Sequence, residues 1–304
     1  MTDVLVPHDT LPPREAPTAP RPLAGFRALF GQAFREGWRR RRLVLLLLAS
    51  IGIGALVGRL AVRVATRMTR WNDMPVDELL ASQLWLNVGR FVVAMLFPLI
   101  ALLLGSQGFS RLRSDRTLVY HLVRPVGRGT VFLARWLAGV PSLVSVAFSA
   151  VAATVLASGV ALPVAGWLGL LGVTVVAMLV LSAVYFALSA VWRHGVVIGL
   201  VYTFVIEGFL ATVPGNLQRA SISHHVRALL VSWVGPAFET LGEGVAKNVQ
   251  SGTSDRDAEN AVSFFGQTEY LDGPTALLVL LVIGAVFVLG GMYMVRRKDW
   301  PLKD

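Results

Sequence analysis

Apolar residues run along this chain in blocks of about twenty. That is the length a helix needs to cross a hydrocarbon layer about 30 Å thick. Six blocks reach it: Leu43–Val64, Leu86–Ser106, Leu137–Ser158, Val164–Trp192, Gly195–Val213 and Pro274–Val295. The fourth and fifth are parted only by Arg193-His194. A helix that is apolar on every side has no stripe to offer water and must be covered by lipid or by other helices. The pattern predicts an all-α integral membrane fold of six transmembrane helices, occupying residues 43–304.

Two further segments are amphipathic. Before the first block, Leu23, Phe26, Leu29, Phe30, Ala33, Phe34 and Trp38 share one side of a helix, and Arg27, Arg35, Glu36 and Arg39 to Arg42 supply polar groups. Aromatics on one face with arginines near anionic headgroups predict an interfacial helix over residues 23–42, turning into the bilayer at its end. A soluble helix packed on its own protein is the alternative. After the fifth block, Val226, Leu229, Leu230, Trp233, Val234, Ala237, Phe238 and Leu241 recur at helical spacing. Pro236, Arg227, Glu239 and Glu243 lie on the same segment, which argues against a seventh span. It reads as a helix at, or dipping into, the outer membrane surface, within a large outer loop over residues 214–273. Residues 1–22 are rich in proline and hold no apolar core, so no cleavable signal peptide is expected there. They read as a disordered cytoplasmic tail.

Composition agrees with a membrane protein. Of 304 residues, 55% are hydrophobic and 15% charged, and mean hydropathy is +0.63. A soluble domain carries about 25% charged residues. The net charge is +10, with 28 basic residues of which only Lys247, Lys298 and Lys303 are lysines. With the N-terminus placed in the cytoplasm, nineteen basic residues fall on the cytoplasmic side, seven outside, and Arg59 and Arg90 within spans. That asymmetry sets both termini in the cytoplasm. The aromatic and basic residues mix at membrane rims, not along a nucleic-acid-binding face.

Several chemistries are missing. The chain has no cysteine, which removes disulfides, thiolate metal sites and thiol nucleophiles together. No His-Glu-x-x-His helix or Gly-x-Ser-x-Gly elbow is present, and His224-His225 has no carboxylate at ligand spacing, so neither a metal nor a catalytic site is expected. No lysine follows a glycine, so no loop of the kind that cradles nucleotide phosphates exists.

The loop after the second block, Gln107–Gly139, alternates charged and apolar residues on a helical period. Leu112, Leu118, Tyr120, Leu122 and Val123 can pack while Arg113, Asp115, Arg116 and Arg124 face water or a partner. Pro125 ends this helix near Val123. The segment fits either a helix–turn–helix that receives a mechanical input or a solvated basic loop that only fixes orientation.

Here the sequence resembles a known family. Arg116-Thr117-Leu118, Tyr120, Arg124-Pro125-Val126, Arg128 and Ala134-Arg135 resemble the cytoplasmic segment of type-2 exporter (ABC-2) permeases of the ATP-binding-cassette (ABC) transporters. Tyr202–Leu217 and Ser221-Ile222-Ser223-His224-His225 are similar to a Glu-Gly and Leu-Ser-Ile-x-His stretch of one branch, as Arg297–Lys303 is to its basic-Glu-Tyr-Pro-Leu ending. The chain departs from the pattern where the family's acidic pair is reduced to Asp115, its glycine to Arg116 and its usual lysine to Arg135.

The resemblance implies a half-transporter in the inner (plasma) membrane. It would pair with a second copy of itself and with two copies of a separate ATPase that holds ATP and Mg, so that this chain binds no cofactor. The ATPase surface would receive the interfacial helix and the coupling segment 107–136, with Asp115, Arg116, Thr117, Leu118, Tyr120, Arg124, Pro125 and Arg128 at the contact. Export is the expected work. The alternative is an ATP-coupled scaffold or assembly factor acting on an envelope partner through the outer loop. No residue set selects a substrate.

Ions at bilayer depth are costly and are normally paired or turned to water. Arg59 lies about 24 Å from the inner start of its span, Glu207 about 18 Å along its own, and Arg90 about 6 Å below the outer end of the second. All three fall in the outer half. Glu207 is expected to pair with Arg59 or Arg90 beside the translocation path; otherwise both arginines reach outer headgroups and Glu207 caps local backbone. Gly54-x-x-x-Gly58 and Gly195-x-x-x-Gly199 suit close helix approach, and Pro141 is expected to bend the third span.

Overall fold

Lipid solvates apolar side chains as well as a protein interior does, so such a bundle must find its packing in shape and in a few polar contacts. The computed structural model describes residues 22–39, 41–68, 84, 88–106, 127–192, 194–210, 216–239 and 272–297. Every element among them is helical: α1 (Pro22–Trp38), α2 (Arg41–Met68), α3 (Phe97–Gly105), α4 (Arg128–Ser158), α5 (Val164–Val191), α6 (Gly195–Tyr202), α7 (Ile222–Glu239) and α8 (Gly273–Arg297). Wide-turn stretches lead into α3 (Val88–Leu96) and continue α6 (Thr203–Leu210), and a short 3-10 turn (Asn216–Ala220) precedes α7. The described residues of the six apolar blocks are helical or in these wide-turn stretches, apart from Trp192 at the end of the fourth and Ser106 at the end of the second. The helices α2, α4, α5 and α8 are long and apolar enough to cross a membrane, whereas Phe91–Gly105 and Gly195–Phe209 are shorter.

The widened turns have a local cause before α3. Pro98, within its first turn, has no N–H to donate and its ring crowds the preceding turn. Loosening the ladder to i→i+5 spacing there accommodates it. Pro141, by contrast, sits inside α4 without ending it. That helix has 31 residues, about 46 Å, and exceeds the hydrocarbon thickness by several turns. It starts at Arg128 and not at Leu137, where the apolar block begins. The extra turns carry Arg128 and Arg135 and provide the surface on which α1 lies: Leu29 is buried against Val131 and Ala134, flanked by Phe26 and Phe30. The α1 aromatics form a row, Phe26, Phe30, Phe34 and Trp38, with neighbouring ring centroids about 6 Å apart. Thus α1 is held by the protein through Leu29, with Trp38 exposed at the far end of that row.

The centre of the bundle is α5, the helix that is apolar all round. Val173, Ala177, Met178, Val180, Leu181 and Val184 are buried in one core with residues of α3, α4, α7 and α8. The largest interface joins α2 to α4. Gly54 and Gly58 are its closest points: a methyl group on either would run into the backbone carbonyls of Ala150 and Thr154. Beside them Ser50 Oγ and Ser149 Oγ hydrogen-bond at 2.7 Å. The Gly-x-x-x-Gly spacing therefore works within the chain, and the opposite side of α2, with Val44, Leu45, Leu48, Leu56 and Leu60, is exposed. Gly159, at φ 78°, takes the left-handed cap that ends α4.

The segment over Ile222–Glu239 is placed differently from the sequence expectation. Its apolar stripe is turned into the bundle: Ile222, Val226, Leu229, Leu230 and Val234 are buried, and the helix packs on α5 and α8. Periodicity identified the stripe but not its cover, which is protein.

If the α2–α4 contact is backbone-limited, Gly54→Val should lower stability by about 1–3 kcal/mol, as overpacking does. Gly52→Ala, on a side with nothing near, should change it little. Thermal unfolding of the detergent-solubilised chain compares the two.

Candidate functional site

The bundle has two chemically distinct ends. One gathers the start of α2, the start of α4 and the end of α8, and with them Arg41, Arg42, Arg128, Arg135, Arg296 and Arg297. Gly129 of α4 faces the Arg296 guanidinium and Gly291 of α8 meets the Phe132 ring, which fixes these ends side by side. Glu36 of α1 lies 4.0 Å from Arg135 Nη1. Toward the other end a polar cluster is buried between α5, α6 and α7.

That cluster is built around Glu207, whose side chain is 2% exposed. Its carboxylate accepts four hydrogen bonds. Oε1 takes the Ile222 N–H at 3.0 Å and the Tyr202 hydroxyl at 3.2 Å; Oε2 takes the Ser223 N–H at 2.8 Å and the Ser221 hydroxyl at 2.9 Å. Both backbone donors belong to the first turn of α7, where N–H groups have no partner within the helix and the helix dipole is positive. The buried carboxylate is thereby matched by a helix end and two hydroxyls. Tyr202 stacks edge-on against Tyr185, ring centroids 5.9 Å apart. The Tyr185 hydroxyl meets Thr203 Oγ1 at 2.7 Å, and Thr203 Oγ1 also donates to the Gly199 carbonyl at 2.8 Å. The wide-turn stretch that places Glu207 is thus tied back to α5 and forward to α7.

Two histidines adjoin the cluster. His225 Nε2 and the Arg219 carbonyl are 2.8 Å apart, and the His224 and His225 rings meet edge to face at 5.4 Å. Burial pushes His224 down to about 4, and the neighbouring His225, Arg227 and Arg219 act in the same direction. Burial lowers His225 too, against the Arg219 carbonyl and Glu207, which favour its protonated form. Among the described residues no group of three or more His, Cys, Asp or Glu side chains is disposed to hold a metal. The Ser221 hydroxyl and the Glu207 carboxylate are both buried in this contact, and the arrangement acts as a clamp between two helices.

Of the expected intramembrane cluster, Glu207 and Arg59 are described and the Arg90 side chain is not. Glu207 has its partners in Tyr202, Ser221 and the α7 N-terminus and does not pair with Arg59, which is exposed on α2. Arg59 shares its side of α2 with exposed Arg63 and Arg67, one and two turns further on. Arg90 falls in the stretch Val88–Leu96, and its side chain lies outside the described residues. Asp115, Arg116, Thr117, Leu118, Tyr120, Arg124 and Pro125 also lie outside them; Arg128 is the first residue of α4. Sequence reasoning missed Tyr185, Tyr202 and Ser221 as partners of this site. A serine immediately before an amphipathic run is a helix-start signal, and Ser221 would have moved the predicted start of α7 back to Ile222.

Residues 27–300 match the family model described as ABC-2 family transporter protein. A comparison with curated proteins finds no match.

Replacing the Glu207 carboxylate should free buried donors, each costing about 1–3 kcal/mol. Glu207→Ala should therefore loosen α7 selectively, seen as faster amide exchange over residues 222–230 with α2 and α4 unchanged. For His224, the unfolded chain binds a proton near pH 6.5 while the folded chain resists it down to about 4. Stability should be full above pH 6.5, fall as pH drops toward 4 and level below it. Melting curves across that range should show the slope, and His224→Asn should reduce it.

Proposed function

The chain belongs to the ABC-2 family of transporter proteins, and on that footing we propose that it is the membrane half of an ATP-driven exporter, working as a dimer with two copies of a separate ATPase. It is a multi-pass membrane protein and a permease component of an ABC transporter. The observation that carries the finer reading is the family match over residues 27–300 in a chain with no phosphate-cradling lysine loop. ATP and Mg then belong to the partner subunit, and this chain converts ATPase closure into movement of its helices.

In this reading α2, α3, α4, α5, α6 and α8 cross the inner membrane, with both termini in the cytoplasm. The collection of arginines at one end of the bundle supports that orientation. The coupling segment 107–136 and α1 meet the ATPase. Force enters through the start of α4, whose first turns rise from that segment with α1 lying on them, and passes to α2 through the glycine-limited contact. The exposed faces of α2 and α6, including Leu48, Leu56, Val197 and Phe204, suit a second copy of the chain at the translocation path. Arg59 and Arg90 are assigned to the outer rim of that path. The alternative, force applied to an envelope partner, draws on the outer loop 214–273, which carries seven acidic and four basic residues.

The ATPase partner should co-purify with the chain. Asp115→Ala with Arg124→Ala should weaken that association about tenfold, roughly 1.4 kcal/mol, while the permease still folds. ATP hydrolysis by the purified chain alone would contradict the reading. Vesicles reconstituted with both subunits separate the two alternatives: ATP-dependent solute movement supports export, and ATPase activity coupled only to an envelope partner supports the scaffold.

A further inference from the structure

At the arginine-rich end α1 does not close onto the bundle completely. Beneath it lies a half-open cavity of about 340 Å³ between the starts of α2 and α4 and the ends of α3 and α5. Its charged residues are Arg42, Arg135 and Glu36. Arg135 is 10% exposed and lies 4.0 Å from the Glu36 carboxylate, while Arg42, on the rim, is exposed. The three groups together leave one positive charge. Deeper in, Trp136 Nε1 donates to Ser182 Oγ at 3.0 Å, and Leu46, Leu104, Leu143 and Phe186 form apolar walls.

The mouth is lateral. Leu45 and Leu103 line the cavity and are also 64% and 45% exposed on the outside of the bundle. They are apolar side chains on the outward side of the described helices, a position suited to hydrocarbon. A ligand must therefore present a negative group to Arg42 and Arg135 and an apolar tail leaving between Leu45 and Leu103. The volume is at the small end for a ligand pocket and cannot take two whole acyl chains. The tail has to continue into the bilayer.

The geometry points to a resident anionic phospholipid of the leaflet at the arginine-rich end, its phosphate held by Arg42 and Arg135 and its glycerol and first methylenes in the cavity under α1. Bound there, the lipid touches α1 through Ala33 and Gly37, α2 through Leu45 and α4 through Gly139, so it joins the three elements that meet at this end. Three further arginines on the outward side of α1, Arg27, Arg35 and Arg39, line a separate shallow cleft and give general attraction to an anionic surface. The assignment is independent of whether the chain exports a solute.

The cavity can be filled without disturbing the fold, because a methyl group at Gly139 or at Gly37 meets nothing within 4 Å. The full chain is reconstituted in vesicles of equal phosphatidylglycerol and phosphatidylcholine, released in mild detergent, and its retained lipids are counted by native mass spectrometry. Wild type should retain phosphatidylglycerol preferentially. Arg42→Gln should lower the preference about fivefold, the effect of one arginine near a lipid surface. Gly139→Leu should displace the lipid with all charges in place, and Gly37→Leu repeats that from α1. Equal retention of both lipids by wild type would overturn the assignment. So would a preference that survives Gly139→Leu and Gly37→Leu but disappears when Arg27, Arg35 and Arg39 are neutralised together.

Discussion

A buried carboxylate needs matched hydrogen-bond donors, and the way Glu207 meets that constraint organises one end of the bundle. Its two oxygens take the first two N–H groups of α7, a serine hydroxyl and a tyrosine hydroxyl. The four contacts join the stretch Thr203–Leu210 to Tyr202 of α6 and to the start of α7. The helix α7 lies inside the bundle, its apolar stripe on α5 and α8. The helix dipole supplies the compensation that an arginine would otherwise give, at no cost in burying a second ion. Such a clamp joins the stretch Thr203–Leu210 to α7 directly.

The arginine-rich end follows a different rule. There the charges are many and mostly exposed, and individual contacts are long, as at Glu36 and Arg135. What holds α1 in place is apolar: Leu29 against Val131 and Ala134. Among the described residues, α1 is thus seated on a small apolar contact and not on a network of buried ions. Between the two ends, the α2–α4 interface is set by backbone approach at Gly54 and Gly58 and resists sliding. A push delivered at the start of α4 would accordingly carry α2 with it.

How much of this was legible in the sequence depended on whether a feature is written in side chains. Six apolar blocks became helices because a run such as Leu43–Val64 has no other way to satisfy its backbone in lipid. The additional turns of α4 were hidden, since Arg128 and Arg135 make Arg128–Trp136 look like loop, although their backbone continues the helix. For α7 the spacing from Val226 showed a stripe, but a stripe fits protein as well as a membrane surface, and only packing distinguishes them. The expected partner of Glu207 was an arginine, because cations are visible in a sequence, with capping of local backbone as the alternative. Two of its four partners are backbone N–H groups, which every residue carries and no sequence marks. The widened turns at Thr203–Leu210 left no sign either, beyond a glutamate where none should be comfortable.

The central claim is that α6 and α7 move as one body because Glu207 joins them. The absence of cysteine in the chain allows spin labels to be placed at Val205→Cys and Pro236→Cys without background. Pulsed electron-spin distance measurements on the assembled complex, with and without Mg-ATP, follow that spacing directly. The account predicts one narrow distance distribution in both states, broadening only when Glu207 is replaced by alanine. A wild-type distance that changes on addition of Mg-ATP would contradict it.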